Sequence, residues 1–294
     1  MNIGLIDVDS HNFPNLALMK ISSYHKQRGD LVEFWNGLKH YDRVYQSKVF
    51  DDTYSQDNYF CINADEIIKG GTGYDLNNKL PDCIEHAYPD YSLYDIRNTA
   101  YGFLTRGCPR HCPFCIVSEK EGNTHTVADL DEFWRGQKEI VLMDSNITAS
   151  KDCERLFEDL IQSKAIINFE GGLDIRFLTD KGADQINKMR VSIVHFAWDN
   201  YEFKTYEKLK YFRPKFRIRG KELRVYVLTN FNTTFDEDLE RIYKLRELDY
   251  SPFVMIYDKP NAPKDIRRLQ RWCNNKFIFE KVERFEDYNK EAKE

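Results

Sequence analysis

From residue 101 onward the chain alternates short, apolar, β-rich runs with amphipathic helical stretches at a nearly constant pitch, and this alternation restricts the fold more than any single motif does. Six runs recur: Tyr101–Arg106, Glu139–Ser145, Ile167–Asp174, Val191–Trp198, Arg224–Asn230 and Ser251–Asp258. Between them, residues 152–164 set Leu156, Phe157, Leu160 and Ile161 on one face of a helix, and residues 236–248 repeat the pattern with Leu239, Ile242, Tyr243 and Leu245. Parallel neighbours need a long connection that crosses one face of the sheet, so strict alternation implies right-handed crossovers and a parallel sheet. The expected fold class is α/β, with six βα units making a partial barrel over residues 96–282. Sheets of this kind bind ligands beyond the C-terminal ends of their strands, which directs attention to the residues just after each run.

Residues 1–95 read as a small, truncated, Rossmann-like α/β domain. It has a strand at Ile3–Val8, a helix over Asn15–Gln27, a strand at Leu31–Trp35, and shorter apolar pieces at Arg43–Tyr45 and Glu66–Ile68. Gly70 to Gly73 mark a loop, Ala87–Tyr94 an irregular linker, and residues 283–294 a charged C-terminal tail, solvated or frayed.

A length of 294 residues accommodates both domains with buried cores. Charged residues are 31% of the chain, and no apolar run approaches the roughly 20 residues that span a bilayer, so a soluble protein without a membrane partner is expected. Asp7 and Asp9 interrupt the apolar N-terminal stretch and no basic leader precedes it, unlike a secretory signal. The net charge of −5 argues against bulk attraction to nucleic acid or anionic lipid. Seven cysteines are an odd number; three crowd into eight positions, while Cys61, Cys83, Cys153 and Cys273 are scattered. That is not a disulfide framework, and a reducing, cytoplasmic location is expected. Cys153 and Cys273 fall in helical stretches and read as small apolar groups.

The crowded cysteines are Cys108, Cys112 and Cys115, at CxxxCxxC spacing directly after the first barrel strand. Gly107, Pro109 and Pro113 exclude a regular helix, leaving a loop that wraps its thiols around one compact object. Thiolates suit iron–sulfur clusters or zinc. A [4Fe-4S] cluster normally takes four, so three would leave one iron open to an outside ligand. Zinc would need a fourth ligand at short spacing, for which His111 and His125 are at hand.

With the aromatic Phe114 immediately before the third cysteine, the segment resembles the radical S-adenosylmethionine superfamily, over roughly residues 96–280. The resemblance implies that Cys108, Cys112 and Cys115 hold a [4Fe-4S] cluster and that the amino and carboxylate groups of S-adenosylmethionine chelate its fourth iron, with Phe114 beside the adenine. It implies reductive cleavage of the sulfur–C5′ bond to methionine and a 5′-deoxyadenosyl radical. The radical would act on a substrate that the motif does not identify, and the electron would come from a donor such as a flavodoxin or ferredoxin. Asp144 and Asn146 stand where the family places acceptors for the amino group, without the common Gly-Gly-Glu form, and Asn146 equally reads as a helix cap. Arg176 reads as a clamp for the methionine carboxylate or as part of a salt bridge with Glu170 and Asp174. Asp199 and Asn230 are candidates for ribose hydroxyls or substrate by position.

A small α/β domain ahead of the cluster loop also resembles the radical enzymes that carry an N-terminal cobalamin-binding domain. Asp9-Ser10-His11-Asn12-Phe13-Pro14 matches their Asp-x-His-x-x-Gly in part, with Pro14 in the glycine position, so cobalamin is not favoured; a turn for His11 and a helix cap for Asn12 are the simpler roles. One further feature bears on partners. Residues 208–224 hold eight basic residues against the single acid Glu222, interleaved with Tyr211, Phe212 and Phe216. This loop reads either as an ordinary solvated helix end or as a grip for RNA or another anionic substrate. It also frames the competing function, a noncatalytic Fe-S or zinc protein that binds a partner through it.

Overall fold

The computed structural model describes residues 1–11 and 13–291. The chain divides into two compact units, Met1–Gly102 with Ala128–Lys138, and Phe103–Val127 with the chain from Glu139 onward.

In the first unit, β1 (Asn2–Asp7), α1 (Leu16–Gln27), β2 (Leu31–Phe34), β3 (Tyr41–Ser47) and β4 (Ala64–Gly70) build a parallel sheet in the order β2-β1-β3-β4. Central β1 is buried on both faces through Ile3, Leu5 and Ile6, as a covered parallel strand requires. Asn15 caps α1 by accepting the Leu18 N–H at 3.2 Å, and its amide also reaches the Ser47 hydroxyl at 2.9 Å, so one side chain ties the helix start to the end of β3. Asn12 lies outside the described residues, and Asn15 holds the cap. The short α2 (Asp82–Glu85) and β5 (Thr99–Gly102) complete the unit.

The first unit extends past the boundary expected at residue 95, and it recovers residues 128–138 from later in the chain. Two long-range contacts hold them there: the Tyr91 hydroxyl donates to the Phe133 carbonyl at 2.7 Å, and the Phe133 ring packs directly on Gly102.

In the second unit, β6 (Thr105–Arg106) and β7 (His125–Thr126) pair antiparallel and enclose the short α3 (Val117–Glu121). Then come β8 (Glu139–Leu142), α4 (Cys153–Ser163), β9 (Ile166–Phe169), α5 (Asp180–Lys188), β10 (Arg190–Ala197), α6 (Phe203–Phe212), β11 (Leu223–Thr229), α7 (Phe235–Glu247), β12 (Ser251–Ile256), α8 (Lys264–Asn274), α9 (Lys276–Lys281) and α10 (Phe285–Glu291). Strands β8 to β12 pair in chain order, every pairing parallel. The alternation in the sequence thus yields an α/β unit with a parallel sheet. Its helices start where capping chemistry allows: Thr179 accepts the Gly182 N–H to begin α5, and Thr234 and Glu237 form a capping box on α7.

Two expectations are corrected. The run Tyr101–Arg106 is not one strand, because the backbone N–H groups of Leu104 and Thr105 are taken by the Asp144 carboxylate rather than by a strand ladder. The segment from Glu283 is not a frayed tail through its described length, because α10 docks through buried Phe285, whose ring meets Trp272 at 5.6 Å and Phe235 at 5.4 Å. Residues 292–294 lie outside the described part. Among the described residues no helix is long and apolar enough to cross a membrane.

The C-terminal ends of β10 and β11 are held by a fully buried arginine. Arg241, on the inner face of α7, donates to the carbonyls of Trp198 and Leu228 and pairs with Asp238, which also accepts the Thr233 hydroxyl. Burial pushes the Asp238 carboxyl up and the Arg241 guanidinium down, so each depends on the other to stay charged. Replacing Arg241 by Met leaves the Asp238 carboxylate buried and uncompensated and should destabilise the protein by about 3–5 kcal/mol, whereas Arg241→Met with Asp238→Leu should regain most of that loss. Urea unfolding of the two variants and the parent measures both values.

Candidate active site

The three cysteines occupy a loop closed at its base by the β6–β7 pair, in which Thr105 faces Thr126 and Arg106 faces His125. Glu121 cross-links the base, accepting from the Arg106 guanidinium and the Gly107 N–H, each at 2.9 Å. The Cys108 N–H donates to the Gly122 carbonyl at 2.9 Å, and the Thr124 hydroxyl to the Gly107 carbonyl at 3.1 Å. Gly107 sits at φ +84°, and a Cβ there would lie 2.5 Å from the Asn123 carbonyl oxygen, so this position admits only glycine. The turn from Cys112 to Cys115 is closed by the Cys115 N–H on the Cys112 carbonyl at 3.0 Å. All three thiols are free. The Cys115 thiol is pushed up, first by burial and then by the neighbouring Cys112, Cys108 and Asp199, which places all three sulfurs and that carboxylate within electrostatic reach of one another.

The loop stands over the C-terminal end of β8. There Asp144, buried to 2% exposure, accepts the N–H groups of Leu104 and Thr105 and the Thr105 hydroxyl, the last at 2.7 Å. Its carboxylate holds the start of the cysteine loop, chiefly through Oδ1. Burial pushes the Asp144 carboxyl up to about 6 despite these donors. Asn146 is at the start of a 3₁₀ turn, Ile147–Ala149, yet its side chain caps nothing. Its Nδ2 lies 3.3 Å from Cys108 Sγ, while its Oδ1 accepts from the Thr148 hydroxyl at 2.9 Å. That hydroxyl in turn accepts the Asp174 N–H at 3.0 Å.

Beyond β9, Arg176 grips Asp174 bidentately at 2.7 and 2.9 Å and approaches Glu202 at 3.7 Å. Of the two roles read for Arg176, the ion pair is the one formed, without Glu170, whose carboxylate instead accepts from Asn168 at 3.0 Å. Asp199, just past β10, has no hydrogen-bond partner among the described residues. Burial pushes its carboxyl up to about 6, Arg176, Arg241 and Arg110 pull it down, and Asp174 works against them. Asn230 adopts φ 61° and donates to the Tyr257 carbonyl at 2.8 Å, so it shapes a turn rather than presenting its amide. Phe114 meets Phe231 edge-on at 5.4 Å, and Phe231 meets Tyr257 at 4.8 Å. Thr148, Phe231 and Tyr257 are site residues that the sequence reading passed over. The available signal was their place just beyond a strand end.

Three of the eight basic residues in the loop are ion-paired within the unit. Arg213 pairs with Asp249, Lys215 with Asp180 and Arg219 with Glu222, while Arg224 lies on the Phe253 ring. Phe212 and Phe216 are core residues, 1% and 5% exposed, and present no ring to a base. Among the described residues no three His, Cys, Asp or Glu side chains converge on a single metal ion. His125 instead bonds the Asn123 carbonyl at 2.9 Å.

The fold has a solved counterpart in the radical S-adenosylmethionine methyltransferase TsrM from Kitasatospora setae, a structure with cobalamin and a [4Fe-4S] cluster bound. The superposition has a TM-score of 0.63 and covers 87% of this chain and 74% of that one, at 10% sequence identity. No protein-family model and no curated protein matches the sequence.

Asp144 makes a testable contribution to stability. Its carboxyl is raised from 3.8 to about 6, so between these pH values the folded state keeps a proton that the unfolded chain releases, and stability falls as pH rises through the window. A rise from 3.8 to about 6 corresponds to at most about 3 kcal/mol. Asn at position 144 should flatten the stability profile between pH 4 and 6 by up to that amount, as read from urea unfolding at a series of pH values.

Proposed function

We propose that this chain is a radical S-adenosylmethionine enzyme, with a [4Fe-4S] cluster held by Cys108, Cys112 and Cys115 over a partial βα barrel. The observation that carries the reading is the construction of the cysteine loop. Three free thiols sit on a non-helical loop, closed at its base and anchored to the end of β8, with a side-chain N–H directed at one of the sulfurs. The donor set fits a cluster with one iron left open: three soft thiolates and no fourth cysteine at short spacing. Bound there, the cluster would supply the electron that cleaves the sulfur–C5′ bond of S-adenosylmethionine.

The residues of this chain supply position. The Phe114, Phe231 and Tyr257 rings form an apolar wall suited to the adenine face, and the unpartnered Asp199 carboxylate offers an acceptor for ribose hydroxyls. Arg176 is engaged by Asp174, so a carboxylate clamp would have to displace that partner, and we assign it no ligand. The solved methyltransferase binds the same kind of cluster on a similar fold, which supports the reading. Cobalamin is not favoured, because Pro14 stands where the cobalamin-binding motif has glycine. Cβ atoms on Gly71 and Gly73 would lie 2.2 Å from the Lys48 and Phe50 carbonyl oxygens, so these glycines are required by contact with the chain itself. A small reductant such as a flavodoxin or ferredoxin is the partner this chemistry requires.

The test is anaerobic reconstitution with iron and sulfide, followed by dithionite and S-adenosylmethionine, with 5′-deoxyadenosine quantified against Cys112→Ala. Product that depends on dithionite and falls to background in the variant is expected. A protein that takes up zinc, assembles no cluster and forms no product would overturn the reading.

A further inference from the structure

Asn146 is a buried amide with one end on the protein and the other facing a sulfur. It is 2% exposed, it leaves the N–H groups of its own turn uncapped, and its Nδ2 is directed at Cys108 Sγ, 3.3 Å away. A network orients the amide. The Thr148 hydroxyl accepts the Asp174 N–H at 3.0 Å and has two acceptors for its own hydrogen, Asn146 Oδ1 at 2.9 Å and the more distant Asp174 carbonyl at 3.2 Å; donation to the nearer one sets the NH₂ end facing sulfur. Asp174 is itself held by the bidentate Arg176. No side-chain donor reaches the sulfur of Cys112 or Cys115 among the described residues; Cys115 has the backbone N–H of Val117 beside it and also feels the negative charge of Asp199. The three thiols are therefore inequivalent: Cys108 has a side-chain N–H donor, whereas Cys115 has a backbone donor and a nearby carboxylate.

A hydrogen bond to a thiolate ligand draws charge from its sulfur and stabilises the more negative, reduced form of the metal group. We propose that Asn146, oriented by Thr148, is a positioning residue that raises the reduction potential of the cluster through Cys108. The inference rests on the cluster assignment above. The electron that reduces the cluster comes from the external donor, and no bond in the protein is made or broken.

The experiment is a redox titration of the reconstituted protein followed by electron paramagnetic resonance, comparing the parent, Asn146→Ala and Thr148→Val. At the parent's midpoint, the reduced-to-oxidised ratio of Asn146→Ala should fall about tenfold, equivalent to a midpoint about 59 mV more negative for one electron. Thr148→Val keeps the amide but frees it to turn, and it should move the midpoint in the same direction by less. In D₂O the parent cluster should show an exchangeable deuteron coupling that Asn146→Ala lacks. Unchanged midpoints in the variants with iron content retained would overturn the inference. If Asn146→Ala assembles no cluster, Thr148→Val decides: a shift supports the proposal and none overturns it. A parent protein that itself assembles no cluster fails at the earlier step and takes down the cluster assignment along with the inference.

Discussion

The interaction on which the site depends is the buried carboxylate of Asp144 gripping the N–H groups of Leu104 and Thr105. Backbone donors withdrawn from a strand ladder must find another acceptor, and here one side chain at the end of β8 supplies it. The chain is thereby taken out of extended pairing just before Gly107 and set to form the short β6–β7 pair. Everything that distinguishes the cysteine loop follows from that departure: the left-handed Gly107, the Glu121 cross-link, and the approach of Cys108 to Asn146. Asp144 and Asn146 belong to one short segment, so the residue that launches the loop and the residue that touches its first sulfur are positioned together.

Sequence periodicity was a good guide wherever burial alone selects the element. The helices at 153–163 and 235–247 and the strands at 190–197 and 251–256 lie within a residue or two of their expected positions, because an apolar face that must be buried leaves little freedom. It was a poor guide where side chains compete with backbone. The run at 101–106 looks like a strand by composition and is broken by a carboxylate from residue 144, which no local window contains. The same limit applies to the division of the chain. Tyr91 and Phe133 meet across more than forty intervening positions, so the return of residues 128–138 to the first unit has no local signature.

The site was legible in its cysteines and less so around them, for a related reason. Metal ligands announce themselves through residue type and spacing, whereas the role of an ordinary polar residue depends on what faces it. Asp144, Arg176 and Asn230 were rightly placed beyond strand ends, and the structure engages each with the protein itself. Asp199 is the contrast. Three arginines act on it, yet Arg176 is bound to Asp174 and Arg241 to Asp238, so its carboxylate is left without a hydrogen bond. A polar group so placed has spare capacity for an outside partner, which is the property a binding residue needs.

The comparison with a solved methyltransferase carries a narrower message than its coverage suggests. At 10% identity, a TM-score of 0.63 reports that two sequences meet the same requirements of strand burial and crossover. A fold shared on those terms hosts many chemistries, so the argument for function has to come from the site. Here it comes from features the fold does not demand. A parallel sheet needs no three-cysteine loop beyond β6, and a 3₁₀ turn has no need of an asparagine that leaves its N–H groups uncapped and directs its amide N–H at a sulfur. Both choices become intelligible if the loop holds a redox group whose charge must be balanced from outside its ligand set.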